Sequence, residues 1–216
     1  MNPKIILKLS VDMIMTVLLL LLMAFQITEE KAHGRIGSIM FLVFISHVWL
    51  NRMWYKNLMK GKYTFFRIVQ TIINFLILFL MLASVISGVS LISRSNILIN
   101  TNHARLIHMV SVYWGFTLMS VHLGMHWGMI NGMMKKAIKN KMIYSLLKII
   151  SLIVALHGLY AFIKLDLLSY MFLRTQFVFF DFEQSAISVL FDYLSIMIFW
   201  VFLTYYSVKF FLTRKN

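Results

Sequence analysis

Four of the seven histidines in this 216-residue chain recur at one interval. His33 and His47 lie fourteen residues apart, and so do His108 and His122. Fourteen residues of α-helix rise about 21 Å and return to within about 40° of the starting face. Each pair therefore sets two imidazoles on one side of a helix, one towards each surface of a bilayer. Seven histidines scattered at random would give roughly 0.2 pairs at this offset; the chain has two. A six-coordinate haem iron takes two axial ligands from opposite sides of the porphyrin. Two such helices side by side can therefore clamp two b-type haems stacked across a membrane, with His33 opposite His108 and His47 opposite His122. Gly115 stands seven residues from both His108 and His122, on nearly the same face. A missing side chain there lets a macrocycle approach the backbone.

The elements that must hold these residues are transmembrane. Hydrophobic residues make up 61% of the chain and the mean hydropathy is +0.82, too apolar for a soluble domain of this size. There is one Pro and no Cys, which excludes disulfides, thiolate chemistry, iron–sulfur clusters and covalent haem attachment. Apolar runs at roughly 5–27, 34–51, 67–92, 105–131, 142–163 and 185–208 are long enough to cross a bilayer. The second is short, but Arg35 and Arg52 flank it and can snorkel. No small-residue cleavage site precedes Thr28-Glu29-Glu30, so the first run reads as a retained span and not a signal peptide. The expected fold is an all-α integral-membrane bundle of six helices over 1–216, a single domain without linker or repeat.

The formal net charge of +14 does not point to nucleic acid, because the basic residues cluster between the apolar runs. One side collects Lys4, Lys8, Arg52, Lys56, Lys60, Lys62, Arg67, Lys135, Lys136, Lys139, Lys141, Lys209, Arg214 and Lys215. The other has Lys31, Arg35, Arg94, Arg105, Lys164 and Arg174. Fourteen against six, with Lys148 inside a span, places both termini in the cytoplasm of a bacterial plasma membrane. The second and fourth spans then run in parallel from outside to inside. They should be neighbours, with each histidine pair matched in depth. The aromatic stretch Leu165–Glu183 reads as an outer interfacial segment or an ordinary aromatic belt.

Other polar residues have weaker patterns. His126 makes an i, i+4 pair with His122, a spacing also used for zinc; it fits a supporting role, a propionate partner, or an alternative inner ligand. Arg35 and Arg105 are outer candidates for haem propionates, Arg52 and Lys56 inner ones, each equally an interfacial anchor. His103 reads as solvated, and Met109 and Met125 as apolar filler near the histidines. Asp12 falls near the depth of Gln70 and Asn74, which predicts an inter-helix hydrogen-bond cluster. His157 and Asp192 share the outer half of their spans. A buried carboxylate is costly unless paired, so these two are expected to pair, structurally or as a proton-handling site for a membrane quinol.

These residues resemble the flavinylation-associated cytochromes over residues 1 to about 132. The likeness rests on Lys8-Leu-Ser-Val-Asp12-Met-Ile-Met, Ala32-His33 with Gly37, and His47-Val-Trp-Leu-Asn51-Arg52-Met-Trp54-Tyr55-Lys56-Asn57. It continues through Gly61-Lys62-Tyr63-Thr64, Arg105-Leu-Ile-His108-Met109, Tyr113-Trp114-Gly115-Phe116 and His122-Leu-Gly124-Met-His126-Trp127. The resemblance implies a membrane b-type cytochrome that passes electrons outward to an extracytoplasmic protein carrying covalent flavin. It supports His33, His47, His108 and His122 as ligands. Two departures stand out. The family commonly has a second His after the position of His47, where this chain has Val48. It commonly has an acidic residue after the position of His33, where this chain has Gly34. The same haem ladder also fits a membrane ferric or quinone reductase. A metal or solute transporter using His122, His126 and His157 is the alternative from another class. No nucleotide-binding fingerprint or soluble domain is present, so hydride chemistry would fall to a partner.

Overall fold

The computed structural model describes residues 3–93 and 99–213, with side chains to 211. Arg94, Arg214 and Lys215, used above to orient the chain, lie outside the described residues. Eight helices are present among those described: α1 (Pro3–Met23), α2 (Phe25–Leu50), α3 (Arg52–Lys56), α4 (Phe65–Ser93), α5 (Thr101–Ala137), α6 (Lys141–Lys164), α7 (Leu167–Met171) and α8 (Ala186–Thr213). Six of them, α1, α2, α4, α5, α6 and α8, are long and apolar enough to cross a membrane. The chain is an integral-membrane, all-α protein. An apolar medium forces this choice, because a helix satisfies its own backbone donors and acceptors without water. The same pressure shapes the polar side chains within the spans. Ser87, Ser90, Ser111 and Ser120 each turn the hydroxyl back onto a carbonyl four residues earlier, at 2.6–2.9 Å. Outward faces are lined by residues such as Phe79, Ile153 and Ile163, all exposed, as contact with lipid requires.

Helix ends follow local chemistry. The Asn100 side chain caps α5 by accepting from Asn102 N at 3.0 Å, and Asn140 caps α6 by accepting from Met142 N at 2.9 Å. The first turn between spans comes earlier than the hydropathy predicts. α1 stops at Met23, Ala24 is buried in the turn, and Glu29 breaks the helical path with φ 55° and ψ 173°. His33 and His47 therefore share the uninterrupted run after that break. α5 is the opposite case. Its 37 residues extend about 55 Å, past both limits of the apolar run and beyond what a bilayer needs.

α5 is the hub. It packs against α4 on one flank and α8 on another, while α6 packs on α8 and α1 on α2. Two glycines set the closest crossings. A Cβ on Gly124 of α5 would sit 2.7 Å from Thr204 Cβ and 2.9 Å from the Val201 carbonyl of α8. One on Gly158 of α6 would overlap the backbone of Ser195 and Ile196 in α8. Small residues at such points let helices approach in lipid, where no hydrophobic force drives them together. Neighbouring positions on α5 and α8 advance together, Phe116 with Tyr193 and Asn131 with Tyr205, so these two helices are parallel.

The segment after α6 departs from the expected interfacial one. Its first half, α7, is buried: Leu167, Tyr170 and Met171 pack against the side of α5. Tyr170 stacks on Tyr113 at 4.9 Å, and Trp114 Nε1 donates to the Met171 carbonyl at 3.0 Å. Left-handed residues at both ends, Asp166 (φ 49°) and Leu173 (φ 53°), turn the chain in and out again. The second half matches the expectation, with Phe172, Phe177, Phe179 and Phe182 exposed.

Candidate functional site

α2 packs on α1 and α4, and it meets α5 at one histidine pair, His33 with His108. The His33 and His108 rings lie 6.1 Å apart, centre to centre, at 71°. Two imidazole nitrogens on opposite sides of one metal, each about 2 Å from it, put the ring centres about 6 Å apart. The separation fits two nitrogens on one metal, and it is equally that of an edge-on ring contact.

α4 fixes the orientation of His108. Its Nδ1 donates to the Ser84 carbonyl at 2.9 Å and lies 3.2 Å from Ser87 Oγ. A proton held on Nδ1 leaves the Nε2 lone pair free, which is how metal-binding histidines are commonly prepared. Gly88 makes the close fit possible, since a Cβ there would stand 3.2 Å from His108 Cε1. His33 has no such support: its Nδ1 is buried without a hydrogen-bond partner. Phe25 packs edge-on against it at 5.1 Å, and Phe180 from the outer loop stacks on Phe25 at 5.5 Å. The aromatic loop therefore covers this end of the pair.

The second level lies fourteen residues along both helices, and it is built differently. His47 Nδ1 meets Asp12 Oδ1 of α1 at 2.7 Å. This carboxylate–imidazole pair directs the opposite nitrogen, Nε2, away from α1. Asn51 Nδ2 stands 3.5 Å from that Nε2 and donates to the His47 carbonyl at 3.0 Å. Lys8 Nζ donates in turn to Asn51 Oδ1 at 3.0 Å. On α5, His122 and His126 lie 4.8 Å apart, one helical turn from each other. Gln70 Nε2 of α4 donates to His126 Nε2 at 3.1 Å, while His122 Nδ1 is buried and unpartnered. His122 and His126 form one pair of rings, and His47 with Asp12 forms a separate ion pair. Among the described residues His47 makes no ring contact with either histidine, so the inner pair is wider than the outer one.

Several expectations need correction. Asp12, Gln70 and Asn74 do not form one cluster. Asp12 goes to His47, Gln70 goes to His126, and Asn74 Oδ1 is buried without a partner. Two histidines in want of polar partners outcompete an amide network. Arg52, an expected inner cation, turns back to donate to the Trp49 carbonyl at 3.3 Å and lies over the Trp49 ring. The cation that reaches the His47 network is Lys8, whose place four residues before Asp12 on α1 is the signal that would have found it. Lys56 sits on the exposed helix α3. At the outer end Arg105 rests over the Phe177 ring at 5.5 Å, and Arg35 and His103 are exposed. Gly115 is buried, yet a Cβ there would meet only Met119 of its own helix, at 3.8 Å.

The transporter arrangement is not assembled. It needs His122, His126 and His157 together, and α6 puts His157 beside Asp192, Phe191 and Tyr160. Among the described residues no three His, Asp or Glu side chains converge as an ion cage. Among the described residues the histidine rings meet across helices at one pair, His33 with His108. Compared with protein-family models, with curated proteins and with solved structures, the chain matches none.

Proposed function

We propose that this chain is a transmembrane electron-transfer subunit holding two non-covalent b-type haems, ligated by His33 with His108 and by His47 with His122. The observation that carries the reading is the outer pair: two imidazoles 6.1 Å apart, one with Nδ1 tied to a backbone carbonyl. The buried ring nitrogens left without partners on His33 and His122 support it. Haem at these positions supplies one-electron carriage between ferrous and ferric iron. The protein's part is to hold each iron's two ligands at set depths, about 21 Å apart along the helices. It also keeps the imidazoles in one tautomer and excludes water. Basic clustering favours cytoplasmic termini in a bacterial plasma membrane. The resemblance to flavinylation-associated cytochromes favours an extracytoplasmic flavin-carrying protein as electron acceptor, docking near the outer pair and its aromatic cover.

Protein purified from haem-replete cells should show a reduced b-type spectrum, with two haems per chain that extract into acidified solvent or pyridine. A colourless preparation would sink the proposal. The carboxylate behind His47 gives a second test. Asp12→Asn keeps the shape but removes the charge that holds the imidazole, and such outer partners commonly contribute about 10–100-fold in metal affinity. Titrating haem into the apoprotein should show weakened binding at one of two sites, with the other unchanged. Equal weakening of both sites, or of neither, would count against the assigned role of Asp12.

A further inference from the structure

Charge is unevenly distributed along this chain. Between Glu30 and Asp166 there is no Asp or Glu at all, although most of the Lys and Arg fall in that stretch. Two turns within it, α2–α4 and α5–α6, lie at one end of the bundle. Gln70, in the second turn of α4, donates to His126 of α5 at 3.1 Å. Asn131, further along α5, bonds Tyr144 of α6 and Tyr205 of α8, each at 2.9 Å. Lys8 Nζ, bound to Asn51 Oδ1, brings the start of α1 to the same end. The carboxylate nearest this end, Asp12, is taken up by His47. Lys56, Lys60 and Lys62 on the first turn, and Lys135, Lys139 and Lys141 on the second, are exposed and meet no carboxylate among the described residues. Like charges gathered this way repel one another, so whatever lies against them must be negative.

The α2–α4 turn has a fixed shape. Arg67 folds back into it: Nη2 donates to the carbonyls of Asn57 at 2.9 Å and Leu58 at 3.1 Å, and Nη1 to that of Lys62 at 3.3 Å. Its guanidinium lies over the Tyr63 ring at 4.4 Å, and the Tyr63 hydroxyl donates to the Leu58 carbonyl. A planar fork of donors can gather several carbonyls at once, which a lysine ammonium does less well. Gly61 (φ 82°) supplies the left-handed residue between Lys60 and Lys62. One arginine thus closes the turn inward while its lysines stay outward. The residues among those lysines are apolar and also exposed: Met53, Tyr63, Phe65 and, at 91%, Met59. α3 begins two residues after α2 ends, so this mixture sits at the level of the membrane surface. A polyanion in water would neutralise the lysines and leave Met59 and Phe65 wet. The boundary between headgroup phosphates and acyl chains satisfies both kinds of side chain.

We propose that the α2–α4 turn is a binding site for the headgroup phosphates of anionic phospholipid. Lys56, Lys60 and Lys62 are the binding cations. Arg67 is a positioning residue that holds them in one arrangement, and Met59 and Phe65 rest among the acyl chains beside the headgroup. The α5–α6 turn adds long-range attraction, but it has no arginine to clamp it. The site requires neither haem nor electron transfer.

The test reconstitutes the full chain into phosphatidylcholine vesicles that carry brominated phosphatidylglycerol in both leaflets. Bromine quenches nearby tryptophan, and Trp49 and Trp54 adjoin the turn. Quenching is compared with that by brominated phosphatidylcholine at the same mole fraction. Wild-type protein should prefer the anionic lipid by at least about three-fold, because each lysine near a lipid surface adds attraction. Lys56→Gln/Lys60→Gln/Lys62→Gln should lose most of that preference. Lys135→Gln/Lys139→Gln/Lys141→Gln removes the same charge and should keep most of it. Arg67→Lys leaves the net charge unchanged and should still lose most of the preference. Wild-type protein without a preference overturns the site, and so does a preference that survives in Lys56→Gln/Lys60→Gln/Lys62→Gln. Equal loss in the two triple variants also overturns it, because the attraction is then diffuse. An Arg67→Lys variant that prefers anionic lipid like wild type removes the positioning role of Arg67.

Discussion

His108→Ala should remove one of two haems while the other remains, roughly halving haem per protein, because an iron with one axial imidazole has lost half of its protein ligation. His33→Ala should give the same product, since both substitutions empty the same pair. His47→Ala and His122→Ala should each remove the other haem. The pyridine haemochrome assay counts haem, and redox titration shows which of two potentials has gone. The pairing is the sharper part of the expectation. A His33→Ala/His108→Ala double variant should lose no more haem than either single variant, whereas His33→Ala/His47→Ala should lose both. His126→Ala is the control, because its Nε2 already receives a hydrogen bond from Gln70. If His126→Ala loses a haem and His122→Ala keeps both, the inner ligand is one helical turn away from its assigned place.

Gly158→Val should abolish the folded bundle without touching any histidine. Even a methyl group at that position would collide with the Ser195 carbonyl of α8, and backbone cannot swing aside as a side chain can. Overpacking ordinarily costs about 1–3 kcal/mol. Here the alternative to strain is separation of α6 from α8, which would also expose the Asp192 carboxylate and its partners to lipid. The expected result is loss of monodisperse protein in mild detergent and a large fall in thermal stability. Gly132→Val supplies the comparison, since a Cβ there meets nothing within 4 Å. By helix propensity alone that change should be neutral to slightly stabilising, by less than about 1 kcal/mol. Equal behaviour of the two variants would mean that α6 and α8 do not cross at Gly158.

The sequence by itself determined the class of the molecule and the positions of its spans, for a physical reason. Lipid demands about 20 apolar residues per crossing and leaves the backbone one way to satisfy itself, so composition and length suffice. It also determined the depth of each histidine relative to its partner on the same helix, because helical rise is a local quantity. His157 and Asp192 were legible as a pair on the same ground: a buried charge needs compensation wherever the chain leads.

What lay across helices was not legible. Nothing local in Ser84 says that its carbonyl will hold His108, or in Gly88 that it will make room for that ring. Nothing in Asp12 says that it will leave Gln70 for His47. Those choices depend on which helices pack and at what register, and in lipid this is decided by small steric matters such as Gly124 and Gly158. The turn at Ala24–Glu29 was misplaced because hydropathy runs through it: Phe25 and Ile27 are as apolar as the span before them, and only tertiary packing against Phe180 and His33 bends the chain there. α7 was misread for a related reason. Its aromatic residues suit a membrane surface as well as an interior, and the stack of Tyr170 on Tyr113, with the Trp114 hydrogen bond to Met171, decided for the interior.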